Sequence, residues 1–230
     1  MKAFQSLRIV FMGTPEFAVA SLEALVDTGC TIVGVITAPD KPAGRGMELQ
    51  QSAVKKYALS KQLLVLQPEK LKAPEFLAQL KALNADLQIV VAFRMLPELV
   101  WNMPPMGTIN VHGSLLPKYR GAAPINWAII NGETETGVTI FKLKHEIDTG
   151  EVLMQKTIPI SNTTTAGELH DTMKAIGAQV LVAAIEAYAE GNVQPIAQEN
   201  LIDAAPDTIP HAPKIFTETC LIEWNKTTNQ

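Results

Sequence analysis

Apolar residues fall along this chain in short, β-branched runs separated by segments with helical spacing. Residues 7–12 read as a buried strand. Gly13-Thr14-Pro15-Glu16 follows as a turn and helix start, because proline is tolerated in the first helical turn and an acid there meets the positive end of the helix dipole. A helix over 17–27 ends at Thr28 and Gly29, and 31–37 is a second β-branched run. A short strand at 63–66, a helix at 73–83 and strands at 87–93 and 108–112 come next. This alternation predicts an α/β fold built on a doubly wound, mostly parallel sheet. Ligands of such sheets bind beyond the carboxyl ends of the strands, and His112 lies at such an end.

The second half continues with a helix at 123–130, strands near 136–143 and 151–160, and a long helix at 166–189. Thr165 with Glu168 three residues later is a capping box, and Gly191 closes the helix. From Gln198 the texture changes. Residues 203–213 are rich in Pro, Ala and Asp and read as a linker, after which 215–224 looks like the start of a new element.

Composition narrows the classes. The chain has 230 residues, 47% hydrophobic and 18% charged, which suits one domain with an extension, or one domain and a half, and excludes disorder. The formal net charge is -4, so a nucleic acid would have to meet a local basic patch. Cys30 and Cys220 form no CxxC pair, which favours a reducing cytoplasmic setting and argues against a structural metal. The apolar run after Arg8 ends at a Gly-Thr-Pro loop, unlike a signal peptide, and no run is long enough to span a membrane.

The candidate chemistry lies in Asn110-Val111-His112-Gly113-Ser114-Leu115-Leu116-Pro117 and, further on, Asp148-Thr149-Gly150. Asn110 and His112 stand two apart on a strand and share a face. Together they can hold one reacting carbonyl, and the Asp148 carboxylate can orient the imidazole. These are the parts of an acyl-type transfer site with no covalent nucleophile. The plain alternative is a polar strand end that satisfies backbone groups. Gly113 and Pro117, which fix an unusual loop beside the polar pair, weigh against it. Asp148-Thr149-Gly150 also matches an aspartic-protease signature, but that needs a second copy or an all-β dimer, which the βα alternation contradicts.

Residues 38–46 form a long loop whose Gly-x-Gly is not a dinucleotide fingerprint, since it does not follow the first strand and lacks the third glycine. Lys41 and Arg45 in that loop, Lys55 and Lys56 on the next helix, and Lys118 and Arg120 beside the polar pair are candidates to meet phosphate, against the ordinary fate of solvated surface charge.

Taken together, Gly13-Thr14-Pro15-Glu16-Phe17-Ala18, Pro42-Ala43-Gly44-Arg45-Gly46, Asn110-x-His112-Gly113-Ser114-Leu115-Leu116-Pro117, Arg120-Gly121-Ala122-Ala123-Pro124-Ile125, Glu135-Thr136-Gly137-Val138-Thr139 and Asp148-Thr149-Gly150 resemble the methionyl-tRNA formyltransferases. The resemblance runs from about residue 7 to 198. It implies a Rossmann-like formyltransferase fold, 10-formyltetrahydrofolate as formyl donor and co-substrate, and initiator methionyl-tRNA as acceptor, in translation initiation. Asn110, His112 and Asp148 match the family's catalytic positions. Ser114, Leu115, Leu116 and Pro117 match its folate-contacting loop, and Lys41 and Arg45 fall on the loop that enters the acceptor stem. It further implies a catalytic domain at 1–199, a linker at 200–214, and at 215–230 the beginning of a truncated C-terminal tRNA-binding domain. One departure is Phe93-Arg94-Met95-Leu96-Pro97, where many members carry a Tyr-Gly pair. The competing readings are a sugar-nucleotide N-formyltransferase of the same chemistry and, in another class, an inactive folate- or RNA-binding module.

Overall fold

Strand β1 (Arg8–Gly13) shows how the sequence builds the centre of the molecule. Its side chains alternate between two faces, and both are covered: Ile9 and Phe11 enter one apolar cluster, Val10 and Met12 another. A strand buried on both sides needs a continuous apolar run, and this segment has one. The computed structural model describes residues 4–43, 47–201, 208–221 and 224. After β1 come α1 (Glu16–Asp27), β2 (Thr31–Ile36), β3 (Lys41–Ala43), β4 (Glu48–Gln50), α2 (Ala53–Ser60), β5 (Val65–Leu66), α3 (Pro74–Ala82), β6 (Leu87–Val91), α4 (Glu98–Trp101) and β7 (Thr108–His112). The chain continues through β8 (Arg120–Gly121), α5 (Pro124–Ile130), β9 (Glu135–Lys142), β10 (Val152–Pro159), α6 (Ala166–Glu190) and β11 (His211–Ala212).

The main sheet has seven strands in the order β10-β9-β7-β6-β1-β2-β5. The five strands from β7 to β5 are parallel, while β9 and β10 add an antiparallel edge, so the sheet is mostly parallel as the sequence predicts. The chain runs outward from β1 to β5, then returns to the other side of β1 as β6. The order therefore reverses between β1 and β6, where doubly wound sheets open a crevice at the carboxyl edge.

The larger cluster fills the space between the sheet and helices α1 and α6; the smaller one lies under α3 and α4. Helix α6 begins with the expected capping box: the Thr165 hydroxyl accepts from the Glu168 amide at 3.2 Å, and the Glu168 carboxylate accepts from the Thr165 amide at 2.9 Å. It stops at Gly191 in the left-handed conformation.

Two segments differ from the sequence expectation. In the segment read as a loop at 38–46, Lys41–Ala43 pair as β3 in antiparallel with β4, with Lys41 opposite Gln50 and Pro42 opposite Leu49. Residues 44–46, and with them Arg45, lie outside the described residues. In the stretch read as a linker, β11 pairs in parallel with β8, so residues 211–212 are fixed against the body of the fold. Each is a pairing of two or three residues, too short to leave a period of its own in the sequence. Among the described residues no helix is long and apolar enough to cross a membrane.

Candidate active site

Alternation along β7 sorts its side chains. Ile109 and Val111 enter the large cluster beneath α6, which turns Asn110 and His112 to the opposite face. Among the described residues no hydrogen bond engages the Asn110 amide. The His112 residue is only 6% exposed, and its ring stands edge-on to Phe141 at 6.4 Å between centroids.

His112 Nε2 lies 2.9 Å from the Tyr119 carbonyl oxygen. A carbonyl only accepts, so Nε2 carries a hydrogen and donates it. Nδ1 is then the ring atom that faces Asp148 Oδ2, at 3.8 Å. The Tyr119 carbonyl is aimed by a left-handed backbone at Tyr119 (φ 60°), whose own amide donates to the Pro210 carbonyl at 2.6 Å.

Asp148 sits in the turn between β9 and β10 with φ 54°, a conformation that aspartate tolerates better than most residues. Its Oδ2 accepts from the Gly121 amide at 2.9 Å. A Cβ at Gly150 would overlap the Lys142 carbonyl oxygen, so Asp148-Thr149-Gly150 is a tight turn whose glycine permits the close approach of the chain. The protease reading of this tripeptide ends here, because the turn joins β9 to the edge strand β10 of an α/β sheet.

The loop after His112 is tied down by one hydroxyl. Thr139 Oγ1 donates to the Ser114 carbonyl at 2.6 Å and accepts from the Leu116 amide at 3.1 Å and from Gln155 Nε2 at 2.9 Å. The Ser114 hydroxyl donates to the Lys118 carbonyl at 2.7 Å. Ser114, Leu116 and Pro117 are buried, and Leu115 is half-buried. Of the basic candidates, Lys41, Lys56 and Lys118 are exposed. Lys55 is not available as a phosphate ligand: it pairs with Asp40 at 2.5 Å, and this hydrogen bond, with a second from Gln67, holds the Asp40 carboxyl below its ordinary value. Arg120 is also engaged, donating through Nε and Nη2 to Gln198 Oε1. Arg94 donates to the backbone carbonyls of Pro68 and Glu69, and Phe93 packs on the smaller cluster, so the departing segment is stapled to the end of β5.

Of the other histidines, His145 and His211 are exposed, and His170 contacts Phe17 and Asp171. Among the described residues no group of three His, Cys, Asp or Glu side chains is placed to hold a metal ion. Thr139 stands in one of the motifs that carry the resemblance but was given no role, and Gln155, Gln198 and the Tyr119 carbonyl were not singled out by the sequence. Each works through a contact between distant segments, for which the chain carries no local signal.

Residues 7–185 match the family described as Formyl transferase. A methionyl-tRNA formyltransferase of Bacteroides fragilis is 59% identical over 222 residues, covering 96% of this chain and 68% of that protein. The chain belongs to the methionyl-tRNA formyltransferases, within the formyl transferase family. The fold agrees with this enzyme family. Glycinamide ribonucleotide transformylase 1 of Symbiobacterium toebii superposes with a TM-score of 0.70 at 19% identity, over 83% of this formyltransferase and 94% of that chain. An N-formyltransferase of Helicobacter canadensis, solved with folinic acid and dTDP-3-aminofucose, superposes with a TM-score of 0.64 at 21% identity, over 90% and 71% respectively.

Proposed function

We propose that this formyltransferase moves the formyl group of 10-formyltetrahydrofolate to the α-amino group of methionine esterified to initiator tRNA. The observation that carries the reading is the pairing of an Asn110 side-chain amide that no described residue engages with a His112 ring whose Nε2–H is tied to Tyr119 and whose Nδ1 faces Asp148, at the carboxyl end of β7, the edge beyond which such sheets bind ligands. The folate supplies the formyl carbon. A neutral amine attacks it, and negative charge grows on the formyl oxygen. Asn110 donates to that oxygen, in the logic of an oxyanion hole, and His112, on the same face of β7, adds to it only once its Nδ1 has taken a proton. An α-amino group titrates at about 8, so about a quarter of it is already neutral near pH 7.5, and positioning of that amine contributes much of the rate. The proton released by the amine passes to water or to Nδ1 of His112, whose tautomer the Tyr119 carbonyl fixes, and as the tetrahedral species collapses the bond from the formyl carbon to the folate nitrogen breaks, that nitrogen taking up a proton so that tetrahydrofolate leaves.

In this reading Leu115, the half-buried member of the 114–117 loop, is the side chain that meets the folate, while Ser114, Leu116 and Pro117 shape the loop from within. The segment from Lys41 to Gln50, whose described ends pair as β3 and β4 and are anchored by Asp40, Lys55 and Gln67, meets the acceptor end of the tRNA, with Lys41 and Arg45 as its basic residues. Phosphate contacts of this kind weaken as salt rises. Arg45→Ala is expected to lower affinity for charged tRNA and to leave folate affinity unchanged, measured for both proteins at one salt concentration. Equal tRNA affinity would remove this segment from the tRNA interface.

A further inference from the structure

Gln198 is completely buried, in a 3-10 turn that the chain reaches after the bridge between Val152 and Ile196. Its Nε2 donates to the Asp148 carbonyl at 2.8 Å and to the Gly150 carbonyl at 2.8 Å. Its Oε1 accepts from Arg120 Nε at 3.0 Å and Nη2 at 2.6 Å. The orientation of the amide is fixed by chemistry: carbonyls only accept and a guanidinium only donates, so the flipped amide would lose all four contacts. Both carbonyls of the strained Asp148 turn are thus held by one side chain.

The contacts close a ring. Arg120 is followed by Gly121, whose amide donates to Asp148 Oδ2 at 2.9 Å, and Arg120 itself returns through Gln198 to the Asp148 main chain. The β8 side of the ring is held from outside by the C-terminal segment. The Ala122 amide donates to the Ala212 carbonyl at 2.7 Å, and a Cβ at Gly121 would overlap that same oxygen. Asp148 is therefore clamped at its carboxylate and at its backbone by two residues adjacent in sequence, one acting directly and one through Gln198.

We propose that Gln198 is a positioning residue for formyl transfer: by bridging Arg120 to the Asp148–Gly150 turn it sets the Asp148 carboxylate against His112. This rests on the assignment of His112 and Asp148 to the reaction. A displacement of a reacting group by about 1 Å can cost about a hundredfold in rate, so an effect of that order on turnover is expected without a matching effect on binding.

The test uses the full chain with 10-formyltetrahydrofolate and methionyl initiator tRNA, and compares Gln198→Leu, Gln198→Glu, Asp148→Asn and the double variant Gln198→Leu/Asp148→Asn. Gln198→Glu keeps an acceptor for Arg120 but cannot donate to the two carbonyls, so it reports on the turn even where the leucine variant folds poorly. Both Gln198 variants are expected to lower kcat about 10- to 100-fold with KM for each substrate changed less than about threefold. The double variant is expected to be no slower than Asp148→Asn, because the two changes act through one group. A folded Gln198→Glu enzyme with normal kcat, or losses that multiply in the double variant, overturns the role of Gln198 alone. Normal turnover in Asp148→Asn overturns the site assignment and this proposal with it.

Discussion

His112 Nδ1 and Asp148 Oδ2 stand 3.8 Å apart, too far for a direct hydrogen bond and close enough for a proton-bearing atom at the site to reach both. The imidazole is anchored through its other nitrogen and the carboxylate through the Gly121 amide, so neither group depends on the other for its position. Replacing Asp148 by Asn is expected to leave the fold intact and to reduce kcat by about two to four orders of magnitude, the range for losing or misdirecting a group that supports proton transfer. Single-turnover kinetics on the purified variant check this. Near-normal turnover would make the carboxylate a structural turn residue.

The hydroxyl of Thr139 serves three partners in a fully buried position. Thr139→Val keeps the shape and removes all three hydrogen bonds. Each buried group left unpaired costs roughly 1–3 kcal/mol, so the variant should lose at least that much stability in urea unfolding and should free the 113–118 loop. A variant as stable as the parent would show that the loop is held by apolar packing alone.

Gly150 admits no side chain, because the Lys142 carbonyl fills the space where a Cβ would stand. Gly150→Ala must therefore open the turn that presents Asp148. The expected result is a lower melting temperature together with a loss of turnover at least as large as that of Asp148→Asn. Retention of both activity and stability would contradict the turn geometry.

Much of this arrangement was legible in the sequence, and what was not has a physical reason. The strand at 108–112 and the capping box at Thr165 and Glu168 appear where the pattern puts them, because period and cap chemistry are local. The pairing at Lys41 was hidden because it involves proline, alanine and backbone, a composition that reads as loop. The pairing of His211 with Arg120 was hidden because it joins segments far apart in the chain. For the same reason Gln198, which binds carbonyls of a distant turn, looks like any other polar residue in the sequence, and the motif that contains Thr139 does not show that its hydroxyl holds a distant loop.

The capping box gives a stability effect with a defined sign. The Thr165 amide, and after it the Thr165 hydroxyl, hold the Glu168 carboxyl below its ordinary value. A lowered folded-state value means stabilisation that is complete above the unfolded-state value of about 4.3 and is lost as pH falls through the folded-state value. The melting temperature of the parent should exceed that of Glu168→Gln near neutral pH, and the gap should shrink on acidification below about pH 4. A gap that stays constant from neutral to acid pH would contradict the contact. Thr165→Ala should cost about 1 kcal/mol at neutral pH, as expected for a lost N-cap.

In the proposed function Asn110, His112 and Asp148 together carry formyl transfer from folate to charged initiator tRNA. Its most direct measurement follows a labelled formyl group from 10-formyltetrahydrofolate in the presence of methionyl initiator tRNA or of an amino-sugar nucleotide, with the parent chain and with Asn110→Ala. The account predicts label on the methionine of the tRNA, none on the sugar nucleotide, and a loss of about 10²–10³ in kcat for Asn110→Ala, the size expected for one oxyanion donor. Label on the sugar nucleotide alone, or equal turnover without the Asn110 amide, would contradict it.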